Sequence, residues 1–228
     1  MELQENVSRD GQGGTSFSGK RKSYFITKRL ADIAASSILL LVLMPLIFFL
    51  WYYLRKKEGS PVFFRQQRIG RNQAPFILWR FRTMTVPSRV IRSLPPHPDY
   101  EPAEGGFSYQ KDPTVTFTIT GEKLYKHDLH KLPELWHVLK GDMSLIGPNP
   151  AHPEMAVHYT RAQQRRFAVK PGMISCVCLQ GGLAHHKKIK HELYYIRHCC
   201  HRLDRKILLQ SMKRFGLSIF QSARKRLL

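Results

Sequence analysis

The chain has 228 residues, with 37 Lys and Arg against 16 Asp and Glu and a formal net charge of +21. This length suits one ordinary domain plus an anchor or tail. The charge points to polyanionic partners: nucleic acid, an anionic bilayer surface or phosphorylated substrates, among which composition does not choose. Four cysteines are too few for a disulfide framework at this size. Cys176, Cys178, Cys199 and Cys200, with His198 and His201 nearby, match no standard zinc spacing and read as reduced thiols, so no metal ligand is assigned.

Residues 1–19 are rich in Gly, Ser, Gln and Asn without an apolar period, which predicts a flexible tail. A membrane anchor is expected over 20–57. Its core, IAASSILLLVLMPLIFFLWYYL at 33–54, contains no charge and would run ~33 Å as a helix, enough to cross a bilayer core. The run is too long and too far from the start for a cleaved signal peptide. Lys20, Arg21, Lys22, Lys28 and Arg29 precede it, and Arg55, Lys56 and Lys57 follow it. A simple span would leave one basic cluster outside, against the positive-inside tendency. Pro45 at mid-run removes a backbone hydrogen bond and bends a helix. These features favour a hairpin that enters and leaves on the cytoplasmic side, with a plain span as the alternative.

A second domain is expected over 58–228. In it, PVFFRQQRIGRNQAPFILWRFRTM (61–84) reads as two strands around a basic, Gly-containing turn. Residues 85–113, with several prolines and Gly105-Gly106, read as a long loop. Arg80 and Arg82 are candidate substrate-binding residues, since Phe81 and Met84 would pin them near a core. In DLHKLPELWHVLKGDMSLIGPNP (128–150), Leu132, Leu135, Trp136 and Leu139 recur at helical spacing. Pro133 suits the first turn and Gly141 supplies a stop. His130 and Lys131 sit just before that helix, where backbone N–H groups favour an anion. Asp142 reads as a cap for the segment that follows. The last stretch, 203–228, carries Leu208, Met212, Phe215 and Ile219 at 4–3–4 spacing among many basic residues. It predicts an amphipathic helix for an anionic interface, or equally a packing helix with a solvated face.

These segments resemble the bacterial sugar transferases, the monotopic polyprenyl-phosphate phosphoglycosyl transferases. The likeness covers about residues 28–220. It rests on KRLADIAASSILLLVLMP, PVFFRQQRIGR, FRTM, LPELWHVLKGDMSLIGP, VKPG and ELYYI with LDRKIL, in family order. The resemblance implies an α+β, mainly helical fold with a re-entrant membrane hairpin, a small β element and interfacial amphipathic helices. It also implies a place on the cytosolic face of the bacterial inner membrane, in exopolysaccharide or surface glycan synthesis. The family's reaction moves sugar-1-phosphate from a nucleotide sugar to polyprenyl phosphate. An Asp–Glu pair with Mg²⁺ carries it, the Asp attacking phosphorus and the Glu helping to hold the cation.

Here the Asp position is His130 and the Glu position is Lys131. A cationic Lys has no lone pair for Mg²⁺ and opposes its approach. The family's Pro-Arg-Pro, linked with nucleotide recognition, is Pro148-Asn149-Pro150, without the planar cation. The Thr-Gly after KPG is Ile174-Ser175, the later Gln and Arg are Cys178 and Gly182, and the serine before the hairpin proline is Met44. Scaffold positions are kept while polar site positions change. The expectation is a sugar-transferase-family membrane protein that has lost the family's catalysis. It would bind or regulate through anionic lipid, polyprenyl phosphate, a nucleotide sugar or a partner enzyme of glycan assembly. One alternative is an active enzyme with altered chemistry at His130. Another, from a different class, is a membrane-tethered nucleic-acid binder, although no nucleic-acid motif appears and the charges sit beside apolar segments.

Overall fold

The computed structural model describes residues 19–85, 98–101, 106–109, 116–175 and 185–227. The expected tail (up to residue 18), much of the 85–113 loop, and Cys176, Cys178 and Gly182 lie outside the described residues. The architecture is mainly helical with three two-stranded sheets, an α+β arrangement.

A single helix, α1 (Gly19–Glu58), contains the apolar run and continues through Pro45. Its two ends dock on the same globular body. Near the start, Asp32 Oδ1 accepts from the Leu145 N–H at 3.1 Å, and the Arg29 guanidinium donates to the Val138 and Leu139 carbonyls at 2.6 and 2.8 Å. Near the end, Leu50 and Leu54 enter a core with Val62, Phe81, Leu124 and Leu132. Between Ser36 and Leu50 no residue is buried, and Leu41 is 80% exposed. The helix is long and apolar enough to cross a membrane by length and composition.

Strands β1 (Phe63–Ile69) and β2 (Pro75–Phe81) form the expected antiparallel hairpin, registered from Phe63 opposite Phe81 to Ile69 opposite Pro75. Two left-handed residues, Asn72 and Gln73, make its turn. Leu78 on β2 is buried against Val138 and Met143 on one face of the hairpin, and Phe81, at the end of the strand, enters the cluster of Leu50 and Leu54 on the other. Within the expected loop, β3 (Pro98–Glu101) pairs with β4 (Gly106–Tyr109) as a second hairpin. A Met84–Phe117 bridge closes the base of that excursion.

Helix α2 (Ile119–Lys126) is capped by the Thr118 hydroxyl, which accepts from the Gly121 N–H. One turn of 3₁₀ helix, Leu129–Lys131, leads into α3 (Glu134–Lys140). Pro133 already has helical geometry at φ −62°, and Gly141 ends the helix at φ +106°, as its sequence position suggested. Asp142 departs from the expectation. It caps nothing downstream, because the next element is a strand; its Oδ2 instead pairs with His137 and Lys140 at the end of α3.

Strand β5 (Ser144–Ile146) pairs in parallel with β6 (Gly172–Ile174). Gly147 and Gly172 meet backbone to backbone there; a Cβ on Gly172 would lie 2.0 Å from the Gly147 nitrogen. Between them run α4 (Pro153–Val157) and α5 (Arg161–Gln164), the latter opened by a Thr160–Gln163 capping box. Helices α6 (His185–His198) and α7 (His201–Leu227) complete the chain. Asp204 fastens α7 to the rest, accepting from Tyr24, Tyr195 and Lys28, each at 2.7 Å. Beyond that clasp α7 exposes Leu209, Met212 and Phe215 beside Lys206, Lys213 and Arg214.

Candidate functional site

The dyad positions lie between α2 and α3, and the fold treats them differently. His130 is turned into the core at 4% exposure, its ring stacked on Tyr125 with centroids 4.9 Å apart. Its Nδ1 lies 3.4 Å from the Leu124 carbonyl oxygen, which only accepts, so Nδ1 carries the proton and Nε2 the lone pair. Burial, followed by the fields of Arg80 and Lys131, pushes the imidazole down to about pH 4. At neutral pH it is therefore an uncharged ring. Lys131 pairs with Asp128, three residues back, at 2.7 Å.

Arg80 reaches this turn from β2. Its Nε donates to Oε1 of Glu134, a carboxylate only 1% exposed, whose Oε2 has no hydrogen-bond partner among the described residues. Beside it, His137 ties β2 to α3: its Nε2 accepts from the Trp79 N–H at 3.2 Å while Nδ1 faces Asp142. Arg82 lies elsewhere. Its guanidinium donates to the Glu58 carbonyl at 2.6 Å, satisfying an otherwise open carbonyl at the end of α1.

Arg80 also lines a cavity of about 220 Å³ that reaches the Pro148–Pro150 loop. The loop is held by its backbone. The Asn149 N–H donates to Glu192 Oε1 at 2.9 Å, and the Asn149 carbonyl accepts from Arg166 at 2.8 Å. Pro150 accepts from Arg68, and Pro148 from the Gly172 N–H, both at 2.8 Å. Arg166 and Glu192, at 4% and 2% exposure, form an ion pair at 2.6 Å, and Arg166 also donates to the Tyr159 hydroxyl at 2.7 Å. Burial raises the Glu192 carboxyl above its ordinary range, opposed by Arg166 and the Asn149 amide. With Arg68 and Lys188 added, the cavity wall carries four cations for one carboxylate, a surface suited to phosphate oxygens.

The structure thus brings His130, Lys131 and Arg80 together at one end, and Arg80 with Pro148, Asn149 and Pro150 at the other; Arg82 joins neither. Sequence reasoning missed Arg166, Glu192 and Glu134. A signal existed for Glu192, the sole acid of α6, which shares an apolar stripe with Ile189, Leu193 and Ile196. A carboxylate on such a stripe requires a buried partner.

The comparisons follow this layout. Residues 23–217 match the family described as Bacterial sugar transferase. This chain belongs to that family. It is 35% identical over 195 residues to the uncharacterized sugar transferase EpsL of Bacillus subtilis (strain 168), covering 85% of this chain and 89% of that protein. It is 30% identical over 196 residues to the UDP-glucose:undecaprenyl-phosphate glucose-1-phosphate transferase of Klebsiella pneumoniae, covering 80% of this chain and 38% of that one. Against the undecaprenyl-phosphate galactose phosphotransferase of Salmonella typhimurium (strain LT2) it is 34% identical over 119 residues, 51% of this chain and 25% of the other. The chain spans most of the Bacillus protein but well under half of the two longer transferases.

The resemblance implies Mg²⁺ at the dyad. A hard divalent cation is held by several oxygens. This turn offers an imidazole, two cations, the Asp128 carboxylate already bound to Lys131 and the Glu134 carboxylate already bound to Arg80. Among the described residues no group of three or more His, Cys, Asp or Glu converges. The residues present do not fit Mg²⁺.

Proposed function

We propose that this chain is a membrane-associated sugar-transferase-family protein of bacterial surface glycan synthesis that binds phosphorylated substrate without the family's Asp–Glu turnover. Relatives named for sugar-1-phosphate transfer to undecaprenyl phosphate supply the substrate class: a nucleotide sugar and a polyprenyl phosphate. The observation that carries the reading is the dyad turn. A side chain that attacks phosphorus must reach it, and the His130 imidazole is packed under Tyr125 at 4% exposure. Lys131 adds positive charge where the family's mechanism places a carboxylate. The cavity from Arg80 to Arg166 keeps the cations that hold phosphate oxygens, so binding outlasts catalysis.

A second reading has its own support. The Leu124 carbonyl fixes the proton on Nδ1 and leaves a neutral Nε2, the form in which a histidine attacks phosphorus. In that reading Nε2 forms the P–N bond, a nucleoside monophosphate leaves, and the sugar phosphate then passes to the lipid phosphate oxygen.

The experiment replaces His130→Asp and Lys131→Glu together. Two carboxylates at this turn recreate an oxygen site, so the variant gains Mg²⁺ binding that the unmodified chain lacks, before any turnover. Equal Mg²⁺ binding by both proteins would remove the basis of the proposal.

The membrane arrangement belongs to the same reading: α1 enters and leaves the bilayer on the cytosolic face. As a straight rod, α1 would separate Arg29 from Leu54 by ~37 Å. Yet Arg29 bonds the last residues of α3 and Leu54 packs in the cluster containing Leu132, just before that short helix. Both basic flanks then face anionic headgroups, and α7 lies along the same interface with Met212 and Phe215 inward. Cysteines introduced singly at Ser23 and Lys57 in a cysteine-free background should both resist an impermeant label in intact cells. Labelling of one alone would establish a span.

A further inference from the structure

A second cavity, of about 360 Å³, lies at the far end of α3 from His130. It is walled by the first turns of α1, by β5 and by the segment leading into β6. Four cations face it: Lys28, Arg29, Arg71 and Lys170, against one carboxylate, Asp32. Lys28 is neutralised by Asp204 at 2.7 Å, and Asp32 is committed to the Leu145 amide. Arg29 bonds only backbone carbonyls, which leave its charge in place. Arg71 is exposed on the turn of the β1–β2 hairpin.

The cations converge. A side chain placed at Gly141 would meet the Arg29 guanidinium at 3.0 Å and the Lys170 ammonium at 3.3 Å. Burial, then the fields of Arg29 and Arg71, hold Lys170 below its ordinary range, even with Asp32 and Asp142 acting in the opposite sense. With four cations facing one carboxylate, such a cluster is stabilised further by an anion. Most of the rest of the lining is apolar: Phe25, Ile26 and Leu30 climb α1 toward the uncharged run that begins at residue 33. A ligand with a phosphate at one end and a hydrocarbon tail at the other fits both halves.

The geometry points to a lipid-phosphate site in this cavity, separate from the dyad, in which Arg29, Arg71 and Lys170 hold the phosphate of a membrane lipid while its chain follows Phe25, Ile26 and Leu30 into the bilayer. The shared chemistry is a phosphate group; the apolar rim assigns it to a lipid rather than to free phosphate. The site rests on the membrane association proposed above and not on the fate of the dyad. It is read by binding in detergent, so it stands or falls apart from turnover or topology.

The full chain in an uncharged detergent is titrated with dihexanoyl phosphatidic acid below its micelle concentration, and bound lipid is counted by native mass spectrometry. Parallel titrations use dihexanoyl phosphatidylcholine and inorganic phosphate. One phosphatidic acid should bind, with the other two probes weaker by roughly tenfold or more, the equivalent of one lost charge-assisted contact. Arg71→Gln with Lys170→Gln should weaken phosphatidic acid by at least that factor, and Arg71→Lys with Lys170→Arg should restore it. Lys213→Gln with Arg214→Gln removes equal charge from α7 and should change little. If the double Gln variant is unfolded by thermal melt, the exposed Arg71→Gln alone decides, with the same direction expected. Unchanged binding by the cavity variants, an equal loss from the α7 pair, or inorganic phosphate binding as well as the lipid would each overturn the assignment.

Discussion

The two ends of the Arg80 cavity differ in how they handle charge. At the Pro148–Pro150 end every buried charge has an opposite neighbour: Arg166 meets Glu192, and both clamp the Asn149 backbone. At the dyad end Arg80 is paired with Glu134, yet the fields of Arg80 and Lys131 at His130 outweigh that of Asp128, and the imidazole stays neutral and buried. One end is a rigid cradle whose shape depends on its ion pair. The other is a packed turn whose surface pair, Lys131 with Asp128, is largely decorative. The first borders an open cavity, while the second has the burial of a core element.

The sharpest break of this contrast is Arg166→Met, which strands Glu192 in the core. Losing one partner of a buried pair costs about 3–5 kcal/mol. Thermal unfolding in detergent should show that loss, and Arg166→Met combined with Glu192→Leu should recover much of it. Equal melting of the single variant and the unmodified chain would mean that the clamp does not organise the loop.

Acid tests the other end. His130 has a folded pKa of about 4 against an ordinary 6.5. Above pH 6.5 both folded and unfolded chains hold it neutral, and the group contributes no pH dependence. As pH falls from 6.5 toward 4, only the unfolded chain takes up the proton, so stability drops, by up to roughly 3 kcal/mol for this one group. The loss is complete once pH passes below the folded value. His130→Gln, which can still donate to the Leu124 carbonyl, should flatten the profile over that window. A profile unchanged by the substitution would place the imidazole in water.

The smallest effect belongs to Asp128→Asn. The Asp128 carboxylate is 63% exposed, so its pair with Lys131 contributes only about 0–1 kcal/mol. The melting temperature should barely move. A large drop would mean that Lys131 is a structural partner on the scale of Arg166.

Much of the fold was legible because its signals are local. The apolar run of α1, the β1–β2 hairpin with its basic turn, and α3 between Pro133 and Gly141 follow from hydrophobic period and stop residues. The β3–β4 hairpin was hidden because prolines at 95, 96 and 98 and the Gly105-Gly106 pair carry the composition of a loop. Asp142 misled because a carboxylate beside a helix end suits a cap, whereas its partners His137 and Lys140 come from the turn before it. At the site, His130, Lys131 and the Pro148–Pro150 loop were singled out through their place in the family pattern, and Arg80 through the apolar residues beside it. Arg82 lies apart from Arg80 because β2 ends at Phe81, and one residue beyond it the Arg82 guanidinium turns to the end of α1. Arg166 and Glu192 meet across 25 residues of intervening chain, a pairing no local window contains.

The central claim is that the dyad turn no longer supports transfer, and the most direct measurement is release of nucleoside monophosphate by the full chain in detergent. The unmodified protein and His130→Ala are each given a panel of nucleotide sugars beginning with UDP-glucose, with polyprenyl phosphate present. The account predicts no release above the protein-free background from either protein, while both still bind the nucleotide sugar. Robust release by the unmodified chain, abolished by His130→Ala, would contradict it and establish His130 as a working nucleophile.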